Sequence, residues 1–168
     1  TNSCVEKTGN VSAGTSIFSM IVLENNLSKV YEEIDLVATP DGKPVAMVHC
    51  NNCCTELDSW VNMIFEYSTL SGSKLTKAQT YDLLYNEAMK ADFDCGGIVG
   101  VNYLSGEPVS HIEDGRTFVA KSIGSNFNLA NFFRAQIYST MATLKIGMEI
   151  LEKENVKIDR IKGHGGLF

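Results

Sequence analysis

The residues best suited to hold an anion are Gly14-Thr15-Ser16. At the tip of a tight strand pair, a glycine lets the main chain approach a ligand closely while hydroxyls and amides donate to phosphate oxygens. An ordinary hairpin turn calls for the same residue types on conformational grounds alone. A second candidate is Gly163-His164-Gly165-Gly166, whose glycines leave bare backbone against which a flat ring or a phosphate can lie. A flexible tail would have the same composition, and the spacing matches neither a dinucleotide fingerprint nor a phosphate-binding loop. A third is His49-Cys50-Asn51-Asn52-Cys53-Cys54, in which Cys50 and Cys53 have the two-residue gap of zinc and redox sites. No second matching pair accompanies them, so buried or helix-capping thiols account for the run better than a metal does.

Nucleophilic or general-base chemistry has little to draw on. The three histidines, His49, His111 and His164, fall in no serine-nucleophile or zinc-protease pattern and read as structural or exposed. Asp92, Asp94, Glu113 and Asp114 lie among turn residues, where magnesium binding and plain solvation are both open. The mixed charges of residues 152–162 read as a solvated face.

These candidates need elements to position them. Residues 10–23 read as two strands around Ala13-Gly14-Thr15-Ser16, the second, Ile17 to Leu23, apolar enough to be buried on both faces. Residues 34–39 and 45–49 form a second pair flanking Pro40-Asp41-Gly42-Lys43, whose Asp-Gly step supplies the turn, so the chain opens as an antiparallel meander. Leu57, Val61, Ile64, Phe65 and Leu70 recur at helical spacing over 58–70, and Ser71-Gly72-Ser73 stops that helix. A second helix is expected over 76–90, followed by glycine-rich short strands or loops over 91–125. The strongest periodicity runs through 128–153, where Leu129, Phe133, Ile137, Met141, Leu144, Met148 and Leu151 repeat every three or four residues. Asn126 is the expected cap at its start and Asn155 the left-handed residue at its end. Val156, Ile158 and Ile161 then predict a short buried strand, with the glycine turn after it.

At 168 residues and 44% hydrophobic content, the chain can bury one sizeable core and reads as a single domain. A formal charge of −6, from 14 basic and 20 acidic residues, disfavours sequence-independent binding to nucleic acid. No apolar run is long enough to span a bilayer, and residues 1–7 lack the apolar core of a signal peptide. The five cysteines, Cys4, Cys50, Cys53, Cys54 and Cys95, are an odd set and read as reduced thiols. A cytoplasmic protein without membrane or nucleic-acid partners is expected.

Taken in order, these motifs resemble the FGGY family of carbohydrate kinases over essentially the whole chain. Thr8-Gly9-Asn10-Val11-Ser12-Ala13-Gly14-Thr15-Ser16 is similar to the family's second phosphate motif, a hairpin whose Gly-Thr pair contacts the ATP phosphates. Phe127-Asn128-Leu129-Ala130-Asn131-Phe132-Phe133-Arg134-Ala135 resembles the start of its long helix, and Ile161-Lys162-Gly163-His164-Gly165-Gly166 the beginning of its adenosine motif. Thr55 and Ser59, just before Trp60, fall where family members touch nucleotide, although the local sequence departs from theirs. His164 stands where the family commonly has an acidic residue.

The resemblance implies an α/β, ribonuclease-H-like (actin-like ATPase) fold: an antiparallel strand meander, then helices packed on a mixed sheet. Residues 1–168 would be one incomplete domain, the nucleotide-binding one, with Gly14, Thr15, Ser16, Thr55, Ser59, Gly163, Gly165 and Gly166 as its nucleotide contacts. The family's general base is an aspartate in a Gly-Asp motif upstream of the phosphate hairpin. This chain begins after that point, and the sugar-binding domain would also lie outside it. The implied reaction is transfer of the γ-phosphoryl of magnesium-ATP to a ketose hydroxyl, with pentuloses such as xylulose or ribulose favoured and rhamnulose, fuculose and glycerol open.

The other readings are a non-catalytic binding or assembly domain of the same fold, and a small thiol-metal protein. An isolated copy is expected to be marginally stable, with a homodimer as one way to cover open sheet edges.

Overall fold

The computed structural model describes residues 4–168. Of the N-terminal stretch read above as lacking a signal core, residues 1–3 lie outside the described part. Strands β1 (Thr8–Ala13) and β2 (Ile17–Val22) pair antiparallel with Ala13 opposite Ile17, so the reversal is Gly14–Ser16 alone. Ile17, Ser19 and Ile21 point to one face of β2 and are completely buried. Phe18 and Met20 point to the other and are only half-buried. The expectation of burial on both faces is therefore corrected, because helix covers one side of the sheet and leaves the other largely open. Burying side chains such as Ile17 and Ile21 is worth about 1.5–3 kcal/mol each. A one-residue slip would turn them outward, so the register is firmly set.

Strand β4 (Pro44–Cys50) lies beside β2, and β3 (Asp35–Ala38) pairs with the outside of β4. All four strands are antiparallel as expected, but their order is β3-β4-β2-β1 rather than that of consecutive neighbours. Burial accounts for the exchange. The residues of β3 are exposed throughout, whereas Val45, Ala46, Val48 and Cys50 of β4 are buried, so the more apolar strand takes the inner place.

Helix α1 (Cys54–Leu70) starts at Cys54 rather than Asp58. Helix α2 (Lys77–Ala88) is closed at its head by a capping box between Thr76 and Gln79. Their apolar stripes meet through Leu57, Val61, Leu84 and Ala88 around the fully buried Phe133.

Residues 91–125 fold as loops around a two-stranded ribbon, β5 (Val99–Asn102) with β6 (Thr117–Ala120). Glu107, fully buried, ties this region to the head of α1 by accepting from the Asn52 amide at 3.3 Å and from its Nδ2 at 3.0 Å.

Helix α3 (Leu129–Lys153) spans the predicted helix, but its buried face differs from the expected stripe: Phe133, Leu144 and Leu151 are buried as predicted, Leu129 is exposed, and Asn131, Gln136, Ser139, Thr140, Thr143 and Gly147 fill much of the packed face. Its cap is Asn128, whose side chain accepts from Asn131 N at 2.9 Å. Asn126 instead donates to Asp92, which also takes a bond from the buried Asn131. Leu144 and Leu151 seat α3 on β2 and β4, and Gly147 brings the two backbones close: a Cβ there would fall 2.3 Å from Val48 Cγ1. Asn155 is left-handed as expected, at φ 58°.

The last strand, β7 (Arg160–Gly165), pairs parallel with β1 and makes the five-stranded sheet mixed, in the order β3-β4-β2-β1-β7. It is exposed at every position, which corrects the expectation of a buried strand. It occupies a sheet edge, with no further strand or helix over it among the described residues. Gly163 and Gly165 belong to this strand rather than to the turn after it.

Candidate functional site

Parallel pairing of β1 with β7 sets the carboxyl ends of both strands side by side, which is where ligands bind in open α/β sheets. The head of α1 is drawn to the same place. Cys53 has no side-chain cap to offer, and its amide donates to Thr15 O and that of Cys54 to Gly14 O, each at 3.0 Å. The strand turn thus acts as the cap of the helix. Gly14 N donates to Ser16 O at 2.9 Å, closing the turn on itself.

A cleft of about 470 Å³ opens at this junction. It is lined by Gly14 and Thr15 of the strand turn, Thr55 and Leu57 in the first turn of α1, and Tyr81 and Tyr85 of α2. Gly166 closes the end, held there by Leu167, which packs into the core beside it. Gly14, Thr15, Thr55 and Gly166, distant in sequence, are therefore brought together. Ser16 and Ser59 do not line the cleft. The Ser59 hydroxyl donates to Glu56 O at 2.7 Å and to its carboxylate at 3.3 Å. Gly163 and Gly165 also stand outside it. Gly165, at φ 115°, has no room for a side chain, since a Cβ would lie 2.0 Å from Ala13 O. Its bareness serves the strand packing that delivers Gly166.

Helical geometry adds Cys54, which the sequence reading weighed only within a thiol run, and Asp58, Tyr81, Asp82 and Tyr85, which it did not single out. The Tyr81 hydroxyl donates to Asp58, joining α2 to α1 across the cleft. Burial, reinforced by the Asp58 carboxylate, raises the Tyr81 phenol above its ordinary range, and burial does the same for Tyr85. Both tyrosines remain neutral at physiological pH. No Lys or Arg lines the cleft. The head of α1 brings the partial positive charge of its amides there, set against the carboxylates Asp58 and Asp82.

Cys50 and Cys53 are completely buried, and burial pushes the Cys50 thiol up to about 12. Asp94 caps Gly96 N at 3.0 Å. Among the described residues no group of three or more His, Cys, Asp or Glu is arranged to hold a metal ion. No helix among them is long and apolar enough to cross a membrane. His49 stacks edge-on to Phe18, His111 faces Glu32 and Glu33, and His164 Nε2 lies 3.5 Å from Asn10 Nδ2. A second concavity of about 520 Å³, between α1 and the head of α3, is lined by Trp60, Met63, Phe127 and Phe132, with Lys121 and Asn128 its polar groups.

Residues 9–168 match the model of the C-terminal domain of the FGGY family of carbohydrate kinases. The xylulose kinase of Haemophilus influenzae is 25% identical over 118 residues, covering 68% of this chain and 24% of the relative. The crystal structure of xylulose kinase from Bifidobacterium adolescentis superposes with a TM-score of 0.73 at 20% identity, over 96% of this chain and 29% of that one. Glycerol kinase from Plasmodium falciparum, solved with ADP, gives 0.70 at 12% identity, over 96% and 31%. The chain thus spans about a quarter of the curated relative it matches. The α/β architecture on a mixed sheet is the actin-like ATPase fold of these sugar kinases.

Proposed function

Since the chain belongs to the FGGY family of carbohydrate kinases, we propose that it is the nucleotide-binding part of a longer, cytoplasmic, ATP-dependent ketose kinase, with a pentulose such as xylulose as the sugar. The observation that carries this reading is the convergence of Gly14-Thr15, Thr55 and Gly166 on one cleft. The turn and the first-turn amides of α1 beyond Cys54, which the strand turn does not cap, would receive the phosphates, and the bare backbone at Gly166 the adenosine side. Ser16, Ser59, Gly163 and Gly165 shape these elements from outside. The name of the Haemophilus influenzae relative favours xylulose.

The electrostatics call for a metal with the nucleotide. Two carboxylates and no cation line the cleft, so a bare polyphosphate would be repelled. Magnesium typically keeps to one or two carboxylates plus substrate phosphates, and Asp82 with the remaining acceptor capacity of Asp58 fits that donor set. When bound, the metal would neutralise charge on the phosphates. Binding and orientation fall to this chain, whereas the sugar and the group that takes its proton are assigned to the rest of the enzyme.

The test is calorimetric titration of magnesium-ATP, magnesium-ADP and metal-free ATP, with a coupled assay on xylulose. The longer protein should bind the magnesium complexes and not metal-free ATP, this chain alone should give no turnover, and Thr15→Ala should raise the KM for ATP by roughly ten- to a hundredfold, the value of one lost hydrogen bond to a charged group. No binding, or an unchanged KM and kcat for Thr15→Ala, would refute the reading in favour of a non-catalytic domain of the same fold.

A further inference from the structure

The concavity between α1 and the head of α3 takes no part in the nucleotide reading. Leu57 and Val61 turn one side of α1 into the core against α2, while Trp60 and Met63 line the concavity from the other. Phe127, Leu129 and Phe132, around the start of α3, face them across it. Its volume of about 520 Å³ falls within the range of small-molecule sites, roughly 300–1,000 Å³. Folding leaves much of this surface unused, since Met63, Phe127 and Leu129 are 51%, 55% and 43% exposed. Single exposed apolar side chains need no explanation, but several gathered around one hollow mark a binding site. The rings of Trp60 and Phe132, and of Phe132 and Phe127, stand edge to face with centroids 5.0 and 6.1 Å apart. Rings so arranged offer both faces and edges to a further aromatic ring.

Charge selects the ligand. Lys121 is the one charged residue lining the concavity. Its ammonium sits over the Phe127 ring, 5.0 Å from the centroid, with no carboxylate partner among the described residues. The Asn128 carbonyl oxygen is spent on capping α3, and the buried indole N–H of Trp60 is a donor without a partner. The polar groups left without partners on this wall are therefore donors. The nucleotide cleft on the other side of α1 has the opposite character, with Asp58 and Asp82 and no cation. An organic anion is repelled there in the absence of metal and attracted here.

We propose that this concavity is a second ligand site, apart from the nucleotide cleft, and that it takes a small aromatic carboxylate. The ring seats among Trp60, Phe127 and Phe132, and the carboxylate accepts from Lys121 Nζ. The apolar body supplies most of the affinity, because aromatic and aliphatic side chains make up nearly all of the lining. Lys121 supplies the preference for an anion over a neutral molecule of the same shape.

Naphthoate and its neutral counterpart naphthamide are titrated calorimetrically into the metal-free protein, and the indole N–H signal is followed by heteronuclear NMR. Trp60 is the single tryptophan, so that signal reports on this concavity alone. Naphthoate should bind, move the indole signal, and bind about fivefold more tightly than naphthamide, the upper value of an exposed ion pair. Lys121→Met keeps the apolar stem and should erase that preference, and Lys121→Arg should restore it. Lys121 is exposed, so both variants should melt with the wild type. Magnesium-ATP should not displace naphthoate. Absence of binding, binding that leaves the indole signal in place, equal affinity for naphthamide, or a preference that survives Lys121→Met overturns the site. Displacement by magnesium-ATP overturns its separation from the nucleotide cleft. None of these readings depends on whether the cleft binds nucleotide.

Discussion

Replacing Gly14 with alanine separates what the strand turn needs from what a ligand needs. The Gly14 φ lies outside the left-handed region, and a Cβ built on it meets no protein atom within 4 Å. Alanine therefore fits, and both main-chain bonds of Gly14, to Ser16 O and from Cys54 N, are retained. Lower entropy of the unfolded chain should stabilise the variant by about 0.4–1 kcal/mol, a rise in Tm of roughly 1–4 °C for a domain of this size. The new methyl, however, projects into the space where phosphate would approach bare backbone. Forfeiting one hydrogen bond to a charged oxygen costs about 1.5–3 kcal/mol, or roughly ten- to a hundredfold in Kd. Calorimetric titration of magnesium-ATP beside thermal melting reads both effects. Gly165→Ala is the contrast: its Cβ collides with Ala13 O and its φ of 115° disfavours any side chain, so stability should fall. A Gly14→Ala variant that melts higher yet binds nucleotide unchanged would refute the assignment of this turn to phosphate. One that melts lower would refute the account of the turn itself.

Gly147→Ala should destabilise by about 1–3 kcal/mol through overpacking against the rigid Val48 side chain, and Val48→Ala in the same protein should recover part of the loss. Additive losses in a denaturant double-mutant cycle would contradict that contact. Glu154 accepts from the Ser28 hydroxyl and amide and from the Tyr31 hydroxyl, and these bonds hold its carboxyl at about 2, below the ordinary 4.5. A depressed carboxyl stabilises the fold fully above pH 4.5 and loses that contribution as pH falls toward 2. The Tm gap between the wild type and Glu154→Gln should accordingly close over that window, and a gap independent of pH would show that the bonds do not favour the ionised form.

Much of the architecture was legible because it rests on local chemistry. The Asp-Gly step after Pro40, the extent of α3 and the left-handed Asn155 follow from turn geometry, helical period and backbone preference, and each appears where the pattern places it. The strand turn at Gly14–Ser16 was readable for the same reason. Less readable were the features that depend on a partner. Asn126 and Asn128 are equally good caps by type, and Asp92, far away in sequence, takes the first and leaves the second for the helix. Val156, Ile158 and Ile161 are apolar enough for a buried strand, yet the strand they introduce has only β1 beside it and stays exposed.

For the candidate site the division is sharper. The sequence alone singled out Gly14, Thr15 and Gly166, because glycine and small hydroxyl residues at turns suit both a tight reversal and a phosphate, and Thr55 entered only through the resemblance to the family. The sequence determined the family as well, through the order of its motifs. Only the tertiary structure decided which of the eight candidates share one cleft, and that Asp58, Tyr81, Asp82 and Tyr85 complete it. The physical reason is that parallel pairing of β1 with β7 and the capping of α1 by a strand turn are contacts between distant segments. No residue type announces such contacts, and they form only when the whole sheet is assembled.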